Sequence, residues 1–134
     1  MNILFLGAPG SGKGTQSKNI ENKFNIPQIS TGDLLRAETA SESKMGQELK
    51  SIMSSGKFVS DDIVLKLVSK KITSSDCKNG FILDGFPRNL SQATSLDSLL
   101  NNLNLSIEYV FLIDVPADLI IKRCVGRITC NTCG

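Results

Sequence analysis

The sequence contains no histidine. Ser-His-Asp and Cys-His nucleophile systems and histidine-bound metal clusters are therefore excluded together. Charge of one sign is also scarce: 15 Lys and Arg face 13 Asp and Glu, a formal net charge of +2. The basic residues are dispersed, with no run longer than Lys70-Lys71, so neither nucleic acid nor an anionic membrane surface is expected as a partner. No apolar run approaches the roughly 18 residues that a membrane span requires. Four cysteines in 134 residues are too few for a disulfide scaffold. The first residues lead into an apolar strand, without a basic segment or a small-residue cleavage site, and a cytoplasmic location is expected. There is no internal repeat and no low-complexity tract. What remains is an ordinary globular composition, 40% hydrophobic and 21% charged. A chain of this length can bury about two-thirds of its unfolded surface in one core.

Apolar patterning alternates between two kinds of segment. Short, nearly continuous apolar runs at Asn2–Leu6, Ile26–Ile29, Phe81–Leu83 (ending on Asp84) and Val110–Ile113 read as strands buried on both faces of a parallel sheet. Between them lie helix-spaced stretches. Ile20 and Phe24 share one face of a helix over Thr15–Phe24, and Thr31 is expected to cap a helix carrying Leu34 and Leu35. Met45, Leu49, Ile52 and Met53 form a stripe that Gly56 stops, with Met53 expected chiefly in the core. Ser60, Asp61 and Asp62 start a helix with the stripe Ile63, Val64, Leu67, Val68 and Ile72. Leu96, Leu99, Leu100 and Leu103 mark another, and Pro116 precedes a last one with Leu119 and Ile120. The alternation predicts an α/β fold, a parallel sheet flanked by helices and joined by right-handed crossovers.

The segment after the first strand is Gly7-Ala8-Pro9-Gly10-Ser11-Gly12-Lys13-Gly14-Thr15. Its glycines let the backbone turn inward so that successive N–H groups face one anion. The following helix adds its N-terminal dipole at the same point. Lys13 supplies a cation for β- and γ-phosphates, and Thr15 is placed for Mg²⁺ or a phosphate oxygen. In the usual phosphate-loop pattern a hydroxyl residue follows the lysine. Here Gly14 takes that place and the hydroxyl comes one residue later.

Gly7 to Gln16 resembles the phosphate loop of nucleoside monophosphate kinases, displaced threonine included. Ile29-Ser30-Thr31-Gly32-Asp33-Leu34-Leu35-Arg36 and Leu83-Asp84-Gly85-Phe86-Pro87-Arg88 resemble two signature blocks of adenylate kinases. The likeness runs along the whole chain. It implies a phosphate-loop nucleoside triphosphatase-like fold and the Mg²⁺-dependent reaction ATP + AMP ⇌ 2 ADP, carried out by a monomer. A kinase of UMP or CMP, or a nucleotide-binding piece without turnover, stays open as an alternative. The resemblance also implies a division into a core, residues 1–29 and 60–126, an AMP-binding segment, 30–59, and the start of a lid, 127–134.

It further implies site residues. Gly10, Ser11, Gly12, Lys13, Gly14, Thr15, Arg123 and Arg127 would bind ATP, and Lys13, Arg88 and Arg127 would act in catalysis. Thr31, Arg36, Lys57, Phe58, Val59, Gly85, Phe86, Pro87, Arg88 and Gln92 would bind AMP. Independently of the resemblance, Arg36 and Arg88 follow turns where a guanidinium can hold a phosphate in bidentate fashion. Gln92, four residues after Arg88, offers a donor and an acceptor to a base edge. Asp84 and Asp114 both end apolar runs and either suits a water-linked Mg²⁺. The longer run favours Asp114, while the resemblance favours Asp84, with Asp33 as a second contact, and leaves Asp114 structural.

Cys130-Asn131-Thr132-Cys133 has the spacing of half a zinc site, whereas Cys77 and Cys124 stand alone and are expected as free thiols, Cys124 in an apolar helix stripe. The likeness is to bacterial adenylate kinases with a zinc-bearing lid, whose second ligand pair falls further on. On that likeness zinc belongs to the intact protein, and these 134 residues are expected to be a C-terminally truncated, nearly inactive piece whose sheet has an uncovered edge.

Overall fold

The computed structural model describes residues 1–55, 59–126, 128 and 132. Four strands, β1 (Asn2–Leu6), β2 (Gln28–Ser30), β3 (Phe81–Asp84) and β4 (Tyr109–Leu112), form one parallel sheet in the order β2-β3-β1-β4. Among the described residues, six α-helices connect and cover them: α1 (Lys13–Phe24), α2 (Thr31–Ala40), α3 (Lys44–Ser54), α4 (Asp61–Ile72), α5 (Leu90–Asn102) and α6 (Ala117–Val125). No helix among the described residues is long and apolar enough to cross a membrane.

Strand alternation builds a core on each face of the sheet. Leu4, Phe81 and Leu83 point to one face, where Val68 and Ile72 of α4 and Leu96 and Leu100 of α5 close over them. Ile3, Phe5 and Ile82 point to the other, packed with Ile26 and with Ile20 of α1. β3 lies between β2 and β1, and its Phe81, Ile82 and Leu83 are almost wholly buried. The register sets Asn2 opposite Phe81 and Phe5 opposite Asp84, so β1 ends one residue beyond β3.

This order makes a crevice. From β1 the chain crosses to β2 on one side, and from β3 it crosses to β4 on the other. At such a switch point the loops after two adjacent strands diverge and leave a cleft at the carboxyl ends of the strands. The loops leaving Leu6 and Asp84 are those two.

Several expectations are corrected. β4 is not buried: it is an edge strand, and all four of its residues are exposed, Leu112 at 70%. Its order in the sheet explains this, because only β1 pairs with it among the described residues. Phe111 still stacks on Phe5, with ring centroids 5.3 Å apart. α6 likewise has no buried residue, so Cys124 is exposed and not part of an apolar stripe. Thr31 is not a cap. Ser30 holds the cap position, and Thr31, buried, is the first helical residue. Phe24 is half exposed, off the face that Ile20 buries. Met53 is 45% exposed, because α3 buries Leu49 instead. Gly56, expected to stop α3, lies outside the described residues. The starts of α1 and β2 differ from the sequence reading by two residues each: Lys13 for Thr15 and Gln28 for Ile26.

A polar clasp precedes β3. Lys71 and Ser74 both donate to the Asp76 carboxylate, and they hold its pKa down at about 2 from 3.8, Lys71 contributing most. Beside it the buried Cys77 thiol is pushed up by loss of water.

The unequal burial of the strands yields a stability contrast. Phe81→Ala is expected to cost about 3–5 kcal/mol in denaturant unfolding, whereas Leu112→Ala at the exposed edge should stay within about 0.5 kcal/mol. The clasp yields a pH dependence. A carboxylate whose folded pKa is depressed stabilises the fold above its ordinary pKa and loses that contribution as pH falls through the folded value. Asp76→Asn should therefore lower the melting temperature at neutral pH and lose its effect at about pH 2 and below. A difference that persists undiminished in acid would contradict this.

Candidate active site

The loop between β1 and α1 wraps into a nest. Ser11 N–H donates to the Ala8 carbonyl at 3.1 Å, closing the turn. Gly7 has φ +143°, and a Cβ there would stand 2.6 Å from the Ile113 carbonyl oxygen. Gly10 has φ +83°, and its Cβ would press on Cys124 Sγ at 3.0 Å. Larger residues at either position would force the loop away from β4 or α6. Gly12 caps α1 without a side-chain hydrogen bond, so the N–H groups of the first turn are left free of any side-chain acceptor. That is the arrangement which receives an anion at a helix N-terminus. The Ser11 hydroxyl is buried and has no hydrogen-bond partner among the described residues.

Lys13 folds back over this nest. Its Nζ donates to the Gly7 carbonyl at 2.8 Å and to the Ala8 carbonyl at 3.0 Å. From α6, Arg123 reaches the same loop, its guanidinium 3.3 Å from the Gly10 carbonyl and 3.4 Å from that of Ser11. The phosphate-loop residues Gly10, Ser11, Gly12, Lys13, Gly14 and Thr15 all line one cleft of about 770 Å³. Arg36, Arg88 and Arg123 face the same space, and Asp84 is the only carboxylate on its wall among the described residues. Four cations against one anion in a concave, partly desolvated site focus a positive potential on whatever enters.

Asp84 sits at the end of β3 with a defined orientation. Gln28 of β2 donates through Nε2 to Asp84 Oδ2 at 2.8 Å. A Cβ on Gly14 would lie 3.7 Å from the same oxygen, an ordinary contact distance, so the carboxylate adjoins the start of α1. An oriented carboxylate next to the loop, with the Thr15 hydroxyl on the same wall, is an oxygen donor set of the kind that Mg²⁺ prefers. The residues present fit that ion. Asp33 stands apart from this group: 70% exposed, it accepts from Arg36 at 2.5 Å. Asp114 is exposed after β4.

A second cavity, about 620 Å³, opens between α2, α4 and the loop after β3. Thr31, Val59, Gly85, Phe86, Arg88 and Gln92 line it, and so does Met53, which the sequence reading had assigned chiefly to the core. Arg88 is fixed at its mouth. Its Nε donates to the Gly85 carbonyl at 2.7 Å, and its terminal nitrogen to Thr31 Oγ1 at 3.3 Å. Thr31 Oγ1 in turn donates to the Gly85 carbonyl at 3.3 Å. The Phe86-Pro87 peptide bond is cis. Gly32, Gly85 and Arg88 belong to both cavities and form their common wall.

Of the residues singled out from sequence, those of the phosphate loop converge with Arg36, Arg88, Arg123 and Asp84, and Thr31, Val59, Gly85, Phe86 and Gln92 converge on the neighbouring cavity. Lys57, Phe58, Arg127, Cys130 and Cys133 lie outside the described residues, and no group of metal-ligating side chains of three or more occurs among the described ones. Three participants escaped the sequence reading. Gln28 orients Asp84, Cys124 packs on Gly10, and Asp61 accepts from the Gln92 amide. Only Asp61 carried any signal, and that signal was read as a helix start.

A profile of the adenylate kinase family matches residues 5–130. The adenylate kinase of Thermodesulfovibrio yellowstonii is 51% identical over 134 residues, and those of Archaeoglobus fulgidus and Clostridium tetani are each 47% identical over the same span. The chain is covered completely in these matches and spans 62% of the length of these relatives. With the phosphate loop, its arginines and the adjoining cavity in place, the chain belongs to the adenylate kinase family.

Proposed function

We propose that the protein transfers the γ-phosphoryl group of ATP to AMP, ATP + AMP ⇌ 2 ADP, with Mg²⁺. The observation that carries this reading is the wall of Gly32, Gly85 and Arg88 shared by the two cavities. Two phosphorylated ligands seated in them would meet at a guanidinium. Phosphoryl transfer asks for charge neutralisation and alignment more than for acid–base side chains, in keeping with a chain that has no histidine.

In this reading ATP lays its phosphates on the nest from Gly7 to Gly12. Lys13, now on the Gly7 and Ala8 carbonyls, turns to the β- and γ-phosphates. The orphaned Ser11 hydroxyl gains a partner from the same ligand. Arg123 flanks the loop on the ATP side, and Arg127 is proposed as a further contact to the transferring phosphates. Bound Mg²⁺ would neutralise phosphate oxygens, held through water by the oriented Asp84 and by Thr15. AMP takes the second cavity, its phosphate on Arg88 and Arg36 and its base among Thr31, Val59, Phe86 and Gln92. Lys57 and Phe58 are proposed as further AMP contacts, while Pro87 lines neither cavity and would act only by shaping the turn between Phe86 and Arg88. Arg36 must leave Asp33 to do so, which frees Asp33 as a second, water-linked contact for the metal.

The division into a core (1–29 and 60–126), an AMP-binding segment (30–59) and the start of a lid (127–134) belongs to the same proposal. So do action as a monomer in the cytoplasm, closure of the segments over the substrates to exclude water, and a structural zinc in the lid, for which Cys130 and Cys133 would be half of the four ligands.

Calorimetric titration tests the assignment of the two cavities. Lys13→Ala should weaken MgATP at least about tenfold, the effect of losing hydrogen bonds to a charged group, and leave AMP affinity unchanged. Arg88→Ala should abolish AMP binding while MgATP stays within about threefold, since Lys13 and the loop N–H groups remain. A protein that only senses a nucleotide would bind ATP and show no heat with AMP, and that result would overturn the proposal.

A further inference from the structure

The Gln92 amide is held at both ends. It is 8% exposed on α5 and lines the second cavity. Its Oε1 accepts from the Arg88 backbone N–H at 2.7 Å, and its Nε2 donates to Asp61 Oδ1 at 2.6 Å. Gln92 N–H itself donates to Asn89 Oδ1 at 2.8 Å, which anchors the start of the helix. Asp61 is the first residue of α4, so the contact ties two helices 31 positions apart in sequence.

A carboxamide presents a donor end and an acceptor end, and a half-turn exchanges them. Here the half-turn is blocked twice. It would set NH₂ against the Arg88 N–H, donor against donor, and Oε1 against the Asp61 carboxylate, acceptor against acceptor. A backbone N–H can only donate and an ionised carboxylate can only accept, so the orientation is fixed by chemistry on both sides. What Gln92 retains for the cavity is one N–H and one lone pair, in a set order.

That order distinguishes purines. A 6-aminopurine offers an exocyclic donor beside an unprotonated ring nitrogen, which matches an acceptor and a donor. A 6-oxopurine offers an exocyclic acceptor beside a ring N–H, the reverse. A free amide would rotate and accommodate either one.

We propose that Asp61 is a specificity-determining positioning residue: by locking the Gln92 amide it makes the second cavity select a 6-aminopurine monophosphate over a 6-oxopurine one. This rests on the reading of that cavity as a nucleoside monophosphate site. Asp61 itself lines the same cavity, and in this proposal it acts through Gln92, whose amide its Oδ1 holds at 2.6 Å.

The test is calorimetric titration of the chain and its Asp61→Asn variant with AMP and with IMP. Asparagine can turn either its oxygen or its NH₂ towards Gln92, so one of the two locks is lost. The wild-type chain should bind AMP much more tightly than IMP. In Asp61→Asn the ratio of the two affinities should fall about tenfold, mainly through a gain for IMP, and Asp61→Glu should restore much of it. A purely structural role would weaken both ligands alike, so an unchanged ratio in Asp61→Asn overturns the inference while leaving the monophosphate site standing. Equal binding of AMP and IMP by the wild-type chain overturns it as well. No AMP binding by the wild-type chain overturns both the inference and the site. Circular dichroism verifies folding. Should Asp61→Asn unfold, Asp61→Ser, which also donates or accepts and suits a helix N-terminus, carries the same comparison.

Discussion

The parallel pairing of β1 with β3 is the constraint on which the site depends. With Asn2 opposite Phe81 and Phe5 opposite Asp84, the strands end within one residue of each other, and the two loops that follow have to share the space above them. One loop is a glycine-rich nest leading into α1, and the other carries Gly85 and Arg88. Neither makes a site alone. The nest alone would offer an anion its N–H groups with nothing to align it against, and Arg88 without the nest would be one more exposed guanidinium. Because Phe81, Ile82 and Leu83 are buried on both faces, sliding β3 by one residue would exchange the two halves of the core. Core packing therefore sets the register, and the register sets how the two cavities adjoin.

Small polar contacts then refine what the register delivers. Gln28 fixes the Asp84 carboxylate, Thr31 and the Gly85 carbonyl fix Arg88, and Asp61 with the Arg88 backbone fixes Gln92. In each case an unglamorous partner on another element removes rotational freedom from a side chain that faces the cleft. Such preorganisation lowers the ordering cost of binding. The exceptions are as informative. Lys13 rests on loop carbonyls and Arg36 on Asp33, contacts that a phosphate can displace. These two positive charges are thus the ones expected to exchange partners as phosphate arrives.

Much of this could be read from the sequence, for definite reasons. The strands β1 and β3 are apolar runs buried on both faces, and the glycine pattern of residues 7–14 has few uses other than phosphate binding. Arg36, Arg88 and Asp84, which line the cleft, stand out in the sequence because their local motifs are distinctive. What could not be read depends on sheet order. Val110 to Leu112 look like any buried strand, yet β4 lies at the edge, and Met53 keeps helical spacing with Leu49 while facing a cavity instead of the core. Partners such as Gln28 for Asp84 and Asp61 for Gln92 are 56 and 31 residues apart, and no local pattern announces a pairing at that range. Thr31 misled for a simpler reason: Ser30 and Thr31 are both good capping residues, and the buried contact with Gly85 decides which one is drawn into the helix.

The central claim is that the two cavities hold a donor and an acceptor with their phosphates facing each other across Arg88. Phosphorus NMR of AMP bound together with a non-hydrolysable ATP analogue carrying Mn²⁺ tests it without requiring turnover. The paramagnetic ion on the donor should broaden the AMP phosphorus signal severely, and Arg88→Ala should abolish the effect by releasing AMP. An AMP signal that stays sharp while both nucleotides are demonstrably bound would contradict the account.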